Sequence, residues 1–390
     1  ILIETKCMNP IIYIDELDKI SKTENGKEII GILTHLTDST QNDQFNDKYF
    51  SGIDIDLSKV LFIFSYNDFS LLDPILADRI HRVRFKHLSK RDKITIIEDY
   101  ILPEILEMVG FSKESVKFDK DTIEFIITSY TYEAGVRKLK EKIFEIIREI
   151  NLQYITEKNS YEFPIIITSD KVREIFSNKS TIQFKKIAPK PCVGLVNGLY
   201  ATVCGIGGIT IIEVFKTLAD SKLSMVLTGQ QGDVMKESMS CAKTIAWNLI
   251  PKTVKDTIKK DWEDNGAWGI HVHCPEAATP KDGPSAGCAI TTAIVSILTG
   301  VAVKNTVAMT GEIDLNGSAR QIGGLDIKID GAKTAGVKKV LVPRENVQDL
   351  EIIKLEKPDV LENIEIVIVD NIWQVLEHTL VKNEIDFQMY

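Results

Sequence analysis

Pro280-Lys281-Asp282-Gly283-Pro284-Ser285-Ala286-Gly287 is the stretch on which the reading of this chain turns. It is a loop rich in turn formers that runs straight into an apolar segment. There Ala289, Ile290, Ala293, Ile294, Ile297 and Leu298 recur at helical spacing, with Gly300 placed to end the helix. A serine at a loop-to-helix junction lies beside unpaired backbone N–H groups and the partial positive charge of the helix start. Such donors can stabilise an oxyanion on a substrate carbonyl. The same residue would also serve as a plain N-cap, a position that serine favours.

Downstream, Val307 to Leu315 reads as a strand. Asn316-Gly317 reads as a two-residue hairpin turn, and Ser318 to Ile322 as the return strand. Gly323-Gly324 then opens a helix in which Leu325, Lys328, Ile329 and Ala332 share one face, leaving Asp326 and Asp330 on others. Lys328 therefore points with apolar residues. Burial disfavours its charged form and lowers its pKa, and a neutral amine can take the proton of a serine hydroxyl. A lysine whose stem lies on apolar surface while its head reaches water would fit the same pattern.

The wider composition sets limits. The 390 residues exceed one ordinary core and predict two or three domains. With 44% hydrophobic and 26% charged residues the chain has a globular mix. Its net charge of −9 gives no support to nucleic-acid binding, which calls for a basic field. Cys7, Cys192, Cys204, Cys241, Cys274 and Cys288 form no Cys-x-x-Cys pair, so buried free thiols and a reducing compartment are expected. No apolar run is long enough to span a bilayer, and no secretory signal opens the chain, so no membrane is expected. His271 and His273 alternate on one side of a strand and could bind a metal; without a third ligand at convincing spacing they read as structural.

Near the beginning, Ile11-Ile12-Tyr13-Ile14 is an apolar run of the buried parallel-strand kind, and Val60 to Phe64 is a second, with a helix around Glu28 to Leu36 between them. The first strand ends in Asp15-Glu16. A carboxylate there can hold Mg²⁺ through water, and the neighbouring glutamate can polarise an attacking water. A helix start rich in acids would look alike. Residues 88 to about 177 follow a helical period, with one strand at Ile165-Ile166-Ile167. Asn178 to Pro191 lacks periodicity and reads as a linker. Beyond it glycines become frequent, and strands and helices alternate to the end.

Taken with their context, these motifs resemble the Lon protease family. His271 to Gly287 is similar to the family's nucleophile signature, and Thr310-Gly311-Glu312-Ile313 through Gly323-Gly324-Leu325-Asp326-Ile327-Lys328 to its lysine-bearing segment. The likeness also takes in Leu227-Thr228-Gly229, Gly232 to Ser238 and Lys339 to Asn346, covering nearly all of 187 to 380. It implies Ser285 as nucleophile, Lys328 as general base, Thr310 as the residue that orients the amine, and Asp282 as an acidic residue of the loop. Departures stand at Ala277 or Ala278, where the family often has glycine, and around Asp326.

The resemblance extends to an AAA+ module of the Lon type. It implies Asp15 and Glu16 as the Walker B pair, with Asp15 the metal-side residue, Asn67 as sensor 1, Arg79 as an arginine finger and Arg137 as sensor 2. ATP with Mg²⁺ is the implied cofactor, although no Gly-x-x-x-x-Gly-Lys-Ser/Thr occurs in the sequence. In the family that loop precedes the Walker B strand, so truncation before Ile1 is expected. An arginine finger acting in trans implies a homo-oligomer, with a hexamer as the family's form.

The expected fold is thus α/β and α+β multidomain. Residues 1–86 would be the C-terminal part of an AAA+ α/β subdomain, 87–180 a small helical lid, and 187–390 a Lon-type proteolytic domain. The expected function is ATP-dependent serine endopeptidase acting on unfolded or tagged proteins, cytoplasmic or in another reducing compartment such as a mitochondrial matrix. The alternatives are a non-proteolytic AAA+ remodelling module and an ATP-independent peptidase.

Overall fold

The computed structural model describes residues 1–390 except 21–22, 47–48, 50–51, 84, 86–87, 132, 157–162, 203–204, 276–282 and 382–390, and at position 120 the backbone alone. The chain divides into two compact units, Ile1–Lys86 and His87–Tyr390. The helical segment and the glycine-rich segment thus share one unit.

In the first unit β1 (Ile11–Ile14) pairs in parallel with β2 (Leu61–Phe64), joined through α1 (Glu24–Thr37) and followed by α2 (Pro74–Arg79). Leu17, Leu33, Leu72 and Leu76 make the core. The two strands were expected to be buried on both faces. Among the described residues one face instead bears Ile11, Tyr13, Leu61 and Ile63 in exposed positions, because the helices cover only the other. Asp73 caps α2 by accepting from the Ile75 and Leu76 N–H groups, and Pro74 follows at the first helical position, where its missing N–H costs nothing.

The second unit opens with α3 (Lys90–Ile96), whose start is a capping box between Ser89 and Asp92. A π-helical turn over Ile97–Ile101 joins it to α4 (Leu102–Val109). Then come β3 (Val116–Phe118), α5 (Lys120–Tyr130), α6 (Arg137–Thr156), β4 (Ile165–Ile167) and α7 (Ser169–Ile175). Ile123, Ile126, Leu139, Ile143, Ile146 and Ile150, all fully buried, form the seam of this bundle. The strand read at 165–167 pairs in parallel with β3.

After residues 178–190, which form no regular element, comes a seven-stranded sheet. Its strands are β5 (Leu195–Ala201), β6 (Gly207–Leu218), β7 (Met225–Thr228), β8 (Trp268–His273), β9 (Val307–Met309), β12 (Lys339–Pro343) and β13 (Glu365–Val369). A separate small hairpin is made by β10 (Glu312–Ile313) and β11 (Ala319–Arg320). The order across the large sheet is β13-β12-β9-β5-β6-β8-β7. β13, β12, β9 and β5 run parallel, β6 is antiparallel to both its neighbours, and β7 runs parallel to β8. The helices of this region are α8 (Asp233–Leu249), α9 (Lys252–Asn265), α10 (Gly287–Thr299), α11 (Leu325–Ala335), α12 (Val347–Glu356) and α13 (Ile372–Thr379).

Two expectations change in detail. The hairpin turn spans 314–318, between the paired residues Ile313 and Ala319, rather than two residues. The Asp314 carboxylate accepts from the Asn316 and Ser318 N–H groups and from Arg320, which holds a wider loop. α10 is buried nearly all round rather than on one face. Its polar residues tolerate this because Thr291 and Thr292 donate to the carbonyls of Gly287 and Cys288, one turn back.

Candidate active site

Two elements bring the candidate nucleophile and base toward each other. Pro284–Ala286 forms a single tight turn at the entrance to α10, and Ser285 sits in it half-buried. Its hydroxyl does not cap the helix: Ala286 stands at the N-cap position and makes no side-chain cap bond. Among the described residues the Ser285 hydroxyl has no hydrogen-bond partner. The turn is held from behind, where Gly311 N–H donates to the Ser285 carbonyl at 2.9 Å and Cys288 N–H to the Gly311 carbonyl at 3.1 Å. The Ser238 hydroxyl on α8 donates to the Pro284 carbonyl at 3.4 Å.

Lys328 lies in the first turn of α11, which Gly324 caps with φ +67°. It is 4% exposed, so its head does not reach water along its stem. α11 is seated backbone to backbone on the sheet: a Cβ on Gly207 would stand 2.0 Å from the Ile327 carbonyl oxygen, and one on Gly331 would stand 2.2 Å from the Gly207 backbone. Only glycine at both points lets the helix come this close. Burial pushes the Lys328 amine down to about 8.

Thr310, 1% exposed and just past β9, joins the two. The Lys328 amine donates to Thr310 Oγ1 at 3.2 Å, and that hydroxyl donates to the Ser285 carbonyl at 3.4 Å. The structure therefore brings Ser285, Thr310 and Lys328 together, although no hydrogen bond runs directly from the amine to the Ser285 hydroxyl. Asp282 lies outside the described residues. Cys288, one turn into α10, is fully buried, and burial pushes its thiol up to about 12. Together with Cys274 it is one of two buried cysteines; Cys7, Cys192 and Cys241 are half-buried, all five are free, and Cys204 lies outside the described residues.

His271 and His273 do face the same side of β8. Both ring systems meet Thr228 Oγ1 on β7, at 2.9 and 2.7 Å. Among the described residues no group of three or more His, Cys, Asp and Glu side chains gathers as a metal site.

In the first unit Asp15 and Glu16 follow β1 directly, and Glu16 turns the chain sharply with φ +53°. The Asp15 carboxylate accepts from the Ser65 hydroxyl, from the Tyr13 hydroxyl at 3.2 Å and from the Glu16 N–H at 3.0 Å. These bonds, Ser65 foremost, hold its carboxyl below the usual carboxylate range. Asn67 is exposed two residues beyond Ser65, at the same strand end. Arg79 is already engaged within its own chain, paired with Asp38 and donating to the Thr34 carbonyl. Thr40 and then Arg79 hold Asp38 down at about 2. Arg137 is an exposed residue of the second unit, at the start of α6, with a long contact to Glu141 of 3.8 Å. Ser65 and Asp38 escaped the sequence reading; the only hint was their polarity beside the candidate residues.

Comparison with known proteins adds an independent line. Residues 166–382 match the Lon protease (S16) C-terminal proteolytic domain, 107–163 the Lon protease AAA+ ATPase lid domain, and 2–88 the ATPase family associated with various cellular activities. A Lon protease homolog of Acanthamoeba polyphaga mimivirus is 36% identical over 96% of this chain and 42% of its own length. The Lon proteases of Campylobacter concisus and Campylobacter jejuni are 38% and 39% identical over 97% of this chain, and 48% and 47% of theirs. The chain spans about half the length of the curated relatives it matches.

Proposed function

The chain belongs to the Lon protease family, and from that premise we propose that it is the peptide-cleaving part of an ATP-dependent serine endopeptidase, with Ser285 as nucleophile and Lys328 as general base. Residues 1–86, 87–180 and 187–390 would be the ATPase fragment, the lid and the proteolytic domain. The observation that carries the reading is a buried amine, hydrogen-bonded to Thr310, whose hydroxyl in turn reaches the Ser285 carbonyl.

With its pKa near 8, a useful fraction of the Lys328 amine is neutral at physiological pH. It takes the Ser285 proton as Oγ bonds to the scissile carbonyl carbon. The new ammonium then gives that proton to the departing amine, leaving an acyl-enzyme and a neutral lysine. Lys328 next deprotonates the water that hydrolyses the ester, and the proton returns to Ser285 Oγ. The Gly287 and Cys288 N–H groups are already given to the Pro284 and Gly311 carbonyls, so the Ser285 and Ala286 N–H groups of the turn would serve the oxyanion. Thr310 keeps the amine aimed at the turn, and the remaining gap to Oγ closes on substrate binding, as is common for catalytic hydrogen bonds. Asp282 would complete the loop.

For the nucleotide part, Asp15 offers an ionised oxygen of the kind Mg²⁺ prefers, with Glu16 and Asn67 at the same strand end. Mg²⁺ with ATP would neutralise charge on the transferred phosphoryl group. Arg79 would serve a neighbouring subunit only after leaving Asp38, and Arg137 would answer from the lid. A ring of subunits, hexameric in this reading, would deliver unfolded or tagged proteins to Ser285.

The test is cleavage of an unstructured peptide by the chain and by Ser285→Ala and Lys328→Ala. Loss of cleavage in both supports the assignment. Cleavage at the parent rate in either removes it.

A further inference from the structure

α11 has two working faces. Lys328 points inward with Leu325, Ile329 and Ala332. Asp326 and Asp330 lie two residues to either side of it, about 200° around a helix of 3.6 residues per turn, and so share the opposite face. That outward face meets the helical segment of the same compact unit.

Both carboxylates are engaged, Asp330 by the helical segment and Asp326 by its own region. Asp330 pairs with Lys90, the first residue of α3, at 3.4 Å. Asp326 pairs with Lys357, which follows α12, at 2.7 Å and with both side chains mostly buried. Lys357 also acts on α3: after the Ser89 hydrogen bonds, its charge helps to hold the Asp92 carboxyl below the usual range. Asp92 is half of the capping box that starts α3. A cleft of about 120 Å³ lies between these helices, enough for a few waters at ~30 Å³ each. Its walls carry the apolar Ile127, Ile206 and Val360 beside the charged Lys90, Asp326 and Asp330.

We propose that Asp326 and Asp330 are positioning residues, through which the helical segment holds α11 and so sets where the Lys328 amine stands relative to Ser285. The proposal rests on Lys328 being the base. A displacement of α3 reaches the amine in two steps, across the Lys90–Asp330 ion pair to α11 and through that helix to its inner face, while Lys357, whose charge also acts on Asp92, holds the helix at Asp326. Gly207 and Gly331 pin the middle of α11 to β6, so a pull on its outer face turns the helix rather than lifting it away.

The experiment uses the full chain carrying Asp330→Lys, Asp326→Asn, Asp326→Glu, and the exchange Lys90→Asp with Asp330→Lys. Peptide cleavage gives kcat and KM. Amide hydrogen exchange over residues 325–335 reports on the helix independently of chemistry. Asp330→Lys is expected to lower kcat about two- to fivefold, the scale of a half-exposed ion pair, with KM unchanged and faster exchange in α11. The exchange of charges should restore both, since an acid is welcome in the first turn of α3. Asp326→Glu should retain what Asp326→Asn loses. Parent-like kcat and parent-like exchange in Asp330→Lys and Asp326→Asn would overturn the proposal. Ser285→Ala is run alongside: if it still cleaves, the enzymatic reading fails, and the hydrogen-exchange arm alone decides the fate of the positioning residues.

Discussion

Replacing Lys328 by methionine should make the protein inactive and more stable. The amine's pKa falls from 10.5 to about 8 because it is buried, so folding at neutral pH must bear the cost of either burying the charge or removing the proton. A shift of about 2.5 units corresponds to ~3 kcal/mol. The sign follows from proton binding. The unfolded chain holds the proton up to pH ~10.4, the folded chain only up to about 8, so stability rises with pH between these values. The penalty is full below about 8 and gone above ~10.4. Methionine fills a similar volume without charge and escapes it. The hydrogen bond to Thr310 is lost, which offsets ~1 kcal/mol, leaving a net gain of ~2 kcal/mol at pH 7. Denaturant unfolding of parent and Lys328→Met at pH 7 and at pH 9.5 measures the difference. The same titration governs parent cleavage, whose kcat should climb about tenfold per pH unit below 8 and level off above it. A methionine variant less stable than the parent at pH 7, or a gap that does not narrow at pH 9.5, would show that the amine is not held against its protonation.

Three further outcomes follow from the same geometry. Thr310→Val removes the acceptor of the Lys328 amine and should lower kcat by about 10²-fold with KM little changed, read in steady-state peptide cleavage. Gly331→Ala places a methyl 2.2 Å from the Gly207 backbone and should cost about 1–3 kcal/mol in unfolding; Gly323→Ala, which meets nothing within 4 Å, serves as the neutral control. Cys288, with its thiol pushed up to about 12, should resist alkylation in the native chain at pH 8, while half-buried Cys7, Cys192 and Cys241 react first; mass spectrometry of the labelled chain would show the order.

Much of this was legible in the sequence because it is local. The helix after Ser285, the strand at 165–167, the irregular stretch after residue 177 and the inward turn of Lys328 each follow from spacing within a few residues. Hydrophobic period fixes which face of a helix is buried, so the placement of Lys328 beside Leu325, Ile329 and Ala332 could be read before any fold was known. The tertiary structure alone decided the rest, because those facts join residues far apart in the chain. The Ser285 hydroxyl is spared from capping by its position within a tight turn. The family likeness implied that Thr310 orients the amine, but its second bond, to the Ser285 carbonyl, comes from β9 running beside β5 and β12. Arg79 is held by Asp38, and Asp326 by Lys357. Pairing across such distances depends on how the sheet and helices close around one another, and no period along the sequence encodes it.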